Sequence, residues 1–448
     1  MKLQLAVPDF GQDAGWRVDK HPRLCADLTG DGTADIVGFG DAGVRVALNN
    51  GDGTFGSPRL AVPDFGHDQG WRVDKHPRLC ADLTGDGTAD IVGFGDAGVR
   101  VALNNGDGTF GSPRLAVPDF GHDQGWRVDK HPRLCADLTG DGTADIVGFG
   151  DAGVRVALNN GDGTFGSPRL VLPDFGHDRG WRVDKHPRQL ADLTADGTAD
   201  IVGFGDAGAW VALNNGDGTF RSPRLAVSDF GHHQGWRVDE HPRFLVRIKD
   251  SIVTRFTDQE AVDVVGFGDA GVRVALNNGD GTFDDPQTIE PFFGYPEGWR
   301  PDKHPRVMCD INGDGRADIV GFGNSGVWVA RNTLAGNGTF ERPRLVVDNL
   351  GYDDGWRVDR HPRLLAKLTW GAPALDIVGF GNSGVWVAAH TDVETYEAPR
   401  LIVTDFGYDN GWRVDQHPRF CTDVTGNGLD DIVGFGDAGV WVASDLEV

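Results

Sequence analysis

Short apolar runs of alternating period, each closed by Gly, Asp, Asn or Pro, recur along the whole chain. One stretch, from residue 21, reads HPRLCADLTGDGTADIVGFGDAGVRVALNNGDGTFGSPRLAVPDFGHDQGWRVDK. It predicts four strands, over 23–27, 34–39, 44–48 and 59–62, because branched side chains fill the runs and tight-turn residues separate them. In the third run Val44 and Val46 face one way and Arg45 the other. No window has a helical period, so the expected class is all-β.

The same phrase returns around Gly-Trp-Arg, with Trp at 16, 71, 126, 181, 236, 299, 356 and 412, a period near 55 residues, and residues 56–110 and 111–165 are identical. A unit this short cannot bury its faces alone and must stack on its neighbours. His-Pro-Arg steps mark eight first strands, at Arg23, Arg78, Arg133, Arg188, Arg243, Arg306, Arg363 and Arg419. The chain begins with a stray fourth strand, 3–7, and ends after the eighth third strand, 440–443. The first run is therefore expected to complete the last blade of a closed β-propeller, one domain over 1–448. Eight blades is the count and seven the alternative, the identical units being a candidate insertion. The departures lie in turns: eight extra residues between Arg243 and Gly266, two in the last hairpin of repeat six, and one in the first turn of repeat seven.

A net charge of −25 argues against nucleic acid or an anionic membrane as partner. No apolar run reaches the ~18 residues that span a bilayer. The first residues lack the apolar core of a signal peptide, which leaves a cytoplasmic or non-classically exported protein as the expectation. Cys25, Cys80, Cys135, Cys309 and Cys421 all follow a His-Pro-Arg step; equivalent places and an odd count suggest buried free thiols. The one sequon, at Asn337, reads as a hairpin turn.

Part of the negative charge sits in loops with the arithmetic of a short calcium site. Asp27, Thr29, Asp31 and Asp35 hold positions one, three, five and nine, with Gly32 at the sharp turn. The set returns as Asp82, Thr84, Asp86 and Asp90; as Asp137, Thr139, Asp141 and Asp145; and as Asp192, Thr194, Asp196 and Asp200. Asp310, Asn312, Asp314 and Asp318 form the strongest version, and Asp423, Thr425, Asn427 and Asp431 a weaker one. Repeat five (Arg247, Lys249) and repeat seven (Lys367, Trp370) have lost it. Bound Ca²⁺ would be a structural staple; the competing reading is a set of metal-free Asp/Gly turns. Gly38-Phe-Gly-Asp-Ala-Gly43 fits a dinucleotide fingerprint, but a strand follows it rather than a helix, so that reading is discarded.

The long crossover between blades carries the candidate binding chemistry. Trp16, Arg17 and His21 should meet Asp41 of the following turn at a shallow cleft. Equivalent sets are Trp71, Arg72, His76 and Asp96; Trp126, Arg127, His131 and Asp151; Trp181, Arg182, His186 and Asp206; and Trp236, Arg237, His241 and Asp269. The last three are Trp299, Arg300, His304 and Asn324; Trp356, Arg357, His361 and Asn382; and Trp412, Arg413, His417 and Asp437. Aromatic faces with paired donors and acceptors suit sugars; the alternative is that these residues are mortar between blades. Arg45, Arg100, Arg155 and Arg273 in the third strand alternate with Trp210, Trp328, Trp386 and Trp441. The crossover likewise carries His67, His122, His177 and His232 early and Tyr295, Tyr352 and Tyr408 late. Two classes of site are expected, the later Tyr/Trp clefts binding more tightly.

GYDDGWRVDRHPR (351–363), DLTGDGTADIVGFGDAGV (27–44) and ALNNGDGTF (47–55) resemble the fungal Psathyrella velutina lectin family across nearly the whole chain. The acidic loop is more distantly similar to the FG-GAP repeats of integrin propellers. The resemblance implies a calcium-containing propeller lectin, without enzymatic activity, that binds N-acetylglucosamine and also sialylated glycans between consecutive blades. It departs from this chain in having seven blades and an aromatic where four third strands here carry Arg, a side chain that could favour an anionic sugar. Near-identical repeats offer no privileged catalytic constellation. The expectation is a multivalent, non-catalytic lectin in a monomeric ring, with a calcium-stabilised adhesion or scaffold propeller that binds a protein as the alternative.

Overall fold

Each repeat forms one four-stranded antiparallel sheet, and there are eight of them. The fold is an eight-bladed β-propeller, which settles the count against seven. The computed structural model describes residues 1–248, 261–333, 338–371, 374–392 and 395–448. Lys249, most of the extra residues of repeat five, and Asn337 lie outside the described residues.

In the first blade the strands are Arg23–Ala26, Asp35–Phe39, Val44–Ala47 and Arg59–Val62. Burial sets their character. Asp35–Phe39 is buried at every position, so it reads as a continuous apolar run rather than an alternating one. In Val44–Ala47 only Arg45 reaches solvent, and in the outermost strand only Val62 is buried. The N-terminal strand Lys2–Val7 pairs with Val440–Ser444, Leu3 opposite Ala443 and Leu5 opposite Trp441. It completes the eighth blade, as the truncated last repeat requires.

The chain divides into two units. The first, Met1–Val128 with Gly161–Thr164 and Gly355–Val448, holds blades seven, eight, one and two. Its blades are stitched by asparagine: Asn49 Nδ2 donates to Val424 O at 3.0 Å, and Asn104 Nδ2 to Leu28 O at 2.8 Å. The second, Asp129–Asn160 with Phe165–Asp354, holds blades three to six. There Asn214 reaches Leu138 O at 2.9 Å, Asn277 reaches Leu193 O at 2.9 Å, and Asn332 reaches Ile248 O at 2.8 Å. A buried side-chain amide that finds a carbonyl on the next sheet fixes how the sheets stack, because leaving it unpaired costs about 1–3 kcal/mol.

At the opposite end of the blade the His-Pro-Arg guanidinium is the tie. Arg23 is 7% exposed, donates from Nη1 to Phe10 O at 2.8 Å, and lies 5.5 Å from the Phe435 ring centroid. Burial lowers its pKa to about 10, which still leaves it charged at neutral pH. The ring face offsets part of the desolvation. The five cysteines are free, and burial raises Cys25, Cys80, Cys135 and Cys309 to about 12, so they are inert thiols.

Candidate functional site

The crossover into blade one turns through Gln12–Ala14, a single 3-10 turn closed by Gly15 at φ +91°. Asp13 N donates to Asp437 O at 2.9 Å, so the crossover leans on the preceding blade as well as the following one. Trp16 is 4% exposed. Its ring lies 4.9 Å from that of Phe10 and packs on Gly38, where an added Cβ would stand 2.5 Å from the indole. The glycines of the Gly-Phe-Gly turn are thus there to admit the ring. Arg17 donates from Nη1 to Gln12 O at 2.9 Å and Trp16 O at 2.7 Å, which holds the crossover in shape.

His21 is 3% exposed and joins the two sides of the cleft. Its Nδ1 accepts Arg17 N–H at 3.1 Å, which leaves the proton on Nε2 to donate to Asp41 Oδ1 at 2.9 Å. Burial lowers its pKa from 6.5, more than the Asp41 hydrogen bond raises it. Asp41 itself is 57% exposed, a carboxylate aimed by a buried imidazole at open space.

That space is a cavity of about 400 Å³ lined by Asp9, Ala14, Gly15, Trp16, His21, Gly40, Asp41, Ala42 and Arg45. Asp9 organises its far wall. Oδ1 accepts Phe10 N–H at 2.7 Å and Trp16 Nε1–H at 2.9 Å, while Oδ2 accepts Arg45 Nε–H at 2.8 Å. Phe10 is held at φ +65° by this arrangement, a conformation costly for a bulky residue. In blade five the equivalent cavity is about 330 Å³, and Arg273 pairs with Asp229 at 2.5 Å. In blade six Phe292 replaces the aspartate and Trp328 the arginine, their centroids 4.6 Å apart, and the cavity shrinks to about 160 Å³. The clefts therefore differ in chemistry, an ion pair in some and an aromatic pair in another.

The histidines of all eight His-Pro-Arg steps meet their turn residue. His76–Asp96 and His131–Asp151 span 2.9 Å, His186–Asp206 3.1 Å and His241–Asp269 3.2 Å. His304–Asn324 spans 2.8 Å, His361–Asn382 2.9 Å and His417–Asp437 3.0 Å. Every crossover Trp is buried, at 7% exposure or less, so the indoles fill the seams and show the clefts little more than an edge. The Tyr residues of the later crossovers are covered as well: the guanidinium of Arg300 lies 3.3 Å from the Tyr295 centroid, and that of Arg413 3.8 Å from Tyr408. The side chains most open to a ligand are Asp41 and its equivalents with the half-buried third-strand Arg or Trp. Sequence reading overlooked Asp9, although an Asp seven residues before the Trp recurs in most repeats.

The acidic loops lie at the other end of the blades. Asp27 Oδ1 accepts Thr29 N–H at 3.0 Å and Gly30 N–H at 2.7 Å, and Oδ2 accepts Gly32 N–H at 2.9 Å. Asp35 is fully buried and accepts Leu28 N–H and Asn49 N–H, both at 2.7 Å. Burial, with Asp31 and Asp27 nearby, raises it to about 6. Oγ1 of Thr29, Thr84 and Thr194 is buried without a hydrogen-bond partner. Converging carboxylates beside an unpaired hydroxyl fit a hard cation. In blade six Arg316 donates from Nη2 to Asp314 at 2.6 Å, so a side-chain cation already engages one ligand of the loop expected to be strongest. Arg247, which replaces the first aspartate in blade five, donates from Nε to Gly315 O at 2.8 Å.

No family model matches the sequence, and no curated protein does. Among solved structures the chain is similar to a lectin of Agrocybe aegerita described for its specific recognition of non-reducing terminal N-acetylglucosamine. The two are 49% identical with a TM-score of 0.68, over 79% of this chain and 87% of that one. Far weaker likenesses are the Photorhabdus luminescens Tc holotoxin pore (17% identical, TM-score 0.42, 81% of this chain and 15% of that one) and the V. cholerae biofilm matrix protein Bap1 (13%, 0.34, 99% and 90%). Neither bears on function.

Proposed function

Because the chain belongs to the β-propeller lectin family of the Agrocybe aegerita protein, we propose that it binds glycans ending in N-acetylglucosamine, without catalysis, in the clefts beside its crossovers. The observation that carries this reading is Asp41, exposed on the rim of an open cavity and oriented from behind by buried His21. A carboxylate fixed in this way accepts hydrogen bonds from sugar hydroxyls without first losing its own freedom. Ala14 and Ala42 supply apolar surface for an acetyl methyl or a ring C–H face. The site set is thus Asp41 and Arg45 with Trp16, Arg17 and His21 as its frame, repeated blade by blade, and Trp328 standing for Arg45 in blade six. Shallow sites of this kind gain strength by engaging one glycan-bearing surface together.

Sialylated glycans are the finer part of the reading. In blades one, two and five the arginine that would greet a sialic carboxylate is already paired with Asp9, Asp64 or Asp229. The ion pair favours neutral sugars in those clefts. The acidic loops are read as calcium sites held by Asp27, Thr29, Asp31 and Asp35 and their equivalents; bound calcium would neutralise carboxylates that otherwise repel, a structural role distant from the clefts.

The test is retention on immobilised N-acetylglucosamine with elution by the free sugar, followed by a glycan array. Selective retention of terminal N-acetylglucosamine is expected. Absence of binding to every glycan presenting that sugar would overturn the reading.

A further inference from the structure

Asp41 stands between two crossovers, and the second delivers more than packing. His67 N–H donates to Gly40 O at 3.1 Å and Asp68 N–H to Asp41 O at 3.0 Å, so both residues are locked against the turn. One ligand atom from each of Asp41, His67 and Asp68 lies within 4.8 Å of the other two. His67 Nδ1 is 3.8 Å from Asp41 Oδ1, too far for a hydrogen bond. It is the separation one ion with bonds of about 2.0–2.2 Å can bridge. The cluster recurs at Asp96, His122 and Asp123, and at Asp151, His177 and Asp178.

The partner of the turn residue varies along the chain. Every repeat with His at this crossover position keeps Asp in the turn: 41 with 67, 96 with 122, 151 with 177, 206 with 232. In repeats six and seven the pair becomes Asn324 with Tyr352 and Asn382 with Tyr408, whereas the turn Asp is kept without the His as Asp269 with Tyr295 and Asp437 with Gln12.

We propose that each of these three early clefts binds a divalent transition-metal ion, zinc fitting best, through the turn Asp and the crossover His and Asp. An imidazole with two carboxylates selects zinc, cobalt, nickel or copper over calcium and magnesium, which take all-oxygen sets. His21 Nε2–H, already on Asp41 Oδ1, is the outer hydrogen bond that orients a metal-bound carboxylate. His67 and Asp41 are solvent-accessible, so the ion enters without unfolding, and water completes its coordination. Asp41 also rims the sugar cavity, which places the ion where glycan hydroxyls arrive. This goes beyond the proposed lectin activity, and the metal site does not depend on it.

The experiment is calorimetric titration of zinc chloride into untagged full-length protein, in buffer containing calcium and no sugar. The triple variant His67→Tyr, His122→Tyr and His177→Tyr is titrated alongside; tyrosine is what later repeats carry there, and an unchanged melting temperature confirms folding. The bound zinc should fall by three equivalents in the variant, one per cluster. Anomalous diffraction at the zinc edge from soaked wild-type crystals should place ions between Asp41, His67 and Asp68. Equal zinc uptake by both proteins, or anomalous density confined to the acidic loops, overturns the proposal. Retention on immobilised N-acetylglucosamine, measured separately, reports on the lectin reading alone.

Discussion

Arg45 is clamped by Asp9, with Nε and Nη2 donating to one carboxylate oxygen at 2.8 and 2.7 Å. The other oxygen, Oδ1, steadies Trp16 and Phe10, so one carboxylate fixes both the mortar of the seam and the charge in the cleft. Asp9→Asn keeps an acceptor for the indole and the Phe10 amide but faces Arg45 with an amide. The freed guanidinium should gain affinity for sialylated glycans on an array, while stability in urea falls by about 1–3 kcal/mol. No gain in anionic binding would mean that the ion pair is not what keeps the early clefts neutral.

The two kinds of tryptophan should behave differently when removed. Trp16→Ala empties a sealed seam and should cost about 3–5 kcal/mol of stability. Trp328 is half-buried against Phe292, so Trp328→Ala should cost less than Trp16→Ala, about 0.5–1.5 kcal/mol for the aromatic pair plus its half-buried area, while removing sugar binding from that cleft. Denaturation and calorimetry on both variants separate the roles; equal stability losses would show that Trp328 is mortar too.

Acid should loosen the crossovers. His21, His76, His131, His186, His361 and His417 all have pKa values lowered from 6.5, burial being the main cause. The unfolded chain then takes up these protons first, so their stabilisation is complete above pH 6.5 and is lost as pH falls below it through the lower folded values. A proton on Nδ1 of His21 would also face Arg17 N–H, which now donates to that atom. Urea midpoints should fall from pH 7.5 to 5.5, and His76→Gln should reduce the slope. An unchanged slope in that variant would assign the acid sensitivity elsewhere.

The strands and turns were legible because each obeys local rules: branched runs, Gly-Asp turns, and a first strand with no partner in its own repeat. The count of eight followed from the His-Pro-Arg steps, and the closure from the pairing of Lys2–Val7 with the last blade. The cleft was legible only in part. His21 and Asp41 meet as expected, whereas Trp16 turned inward, a placement signalled by the glycines that receive it but decided by packing across the seam. Asp9 escaped notice because it looks like an ordinary turn residue and its partner lies 36 positions away. The cation-like reach of Arg316 onto Asp314 was equally invisible, since the motif lists ligands and not the charge wedged among them.

Calcium should stabilise the protein, and acid should abolish that effect. Burial holds Asp35, Asp90, Asp145, Asp200 and Asp431 at about 6 and Asp318 at about 7. An unfolded aspartate titrates near ~3.9, so between about 4 and 6 the folded loops hold the extra protons. Without metal, this set of groups destabilises the fold as pH rises through that window. Calcium requires the ionised form, and at a hundredfold excess over Kd one site adds about 2.7 kcal/mol. Melting temperatures with added calcium and with EGTA should therefore differ widely at pH 7.5 and converge as pH falls below 6. Asp82→Ala should narrow the gap by one site, whereas Lys367→Ala, in a loop that has lost its first aspartate, should leave it alone. If the two curves coincide at pH 7.5, the loops are turn caps and the calcium assignment fails, with the clefts at the other end of the blades unaffected.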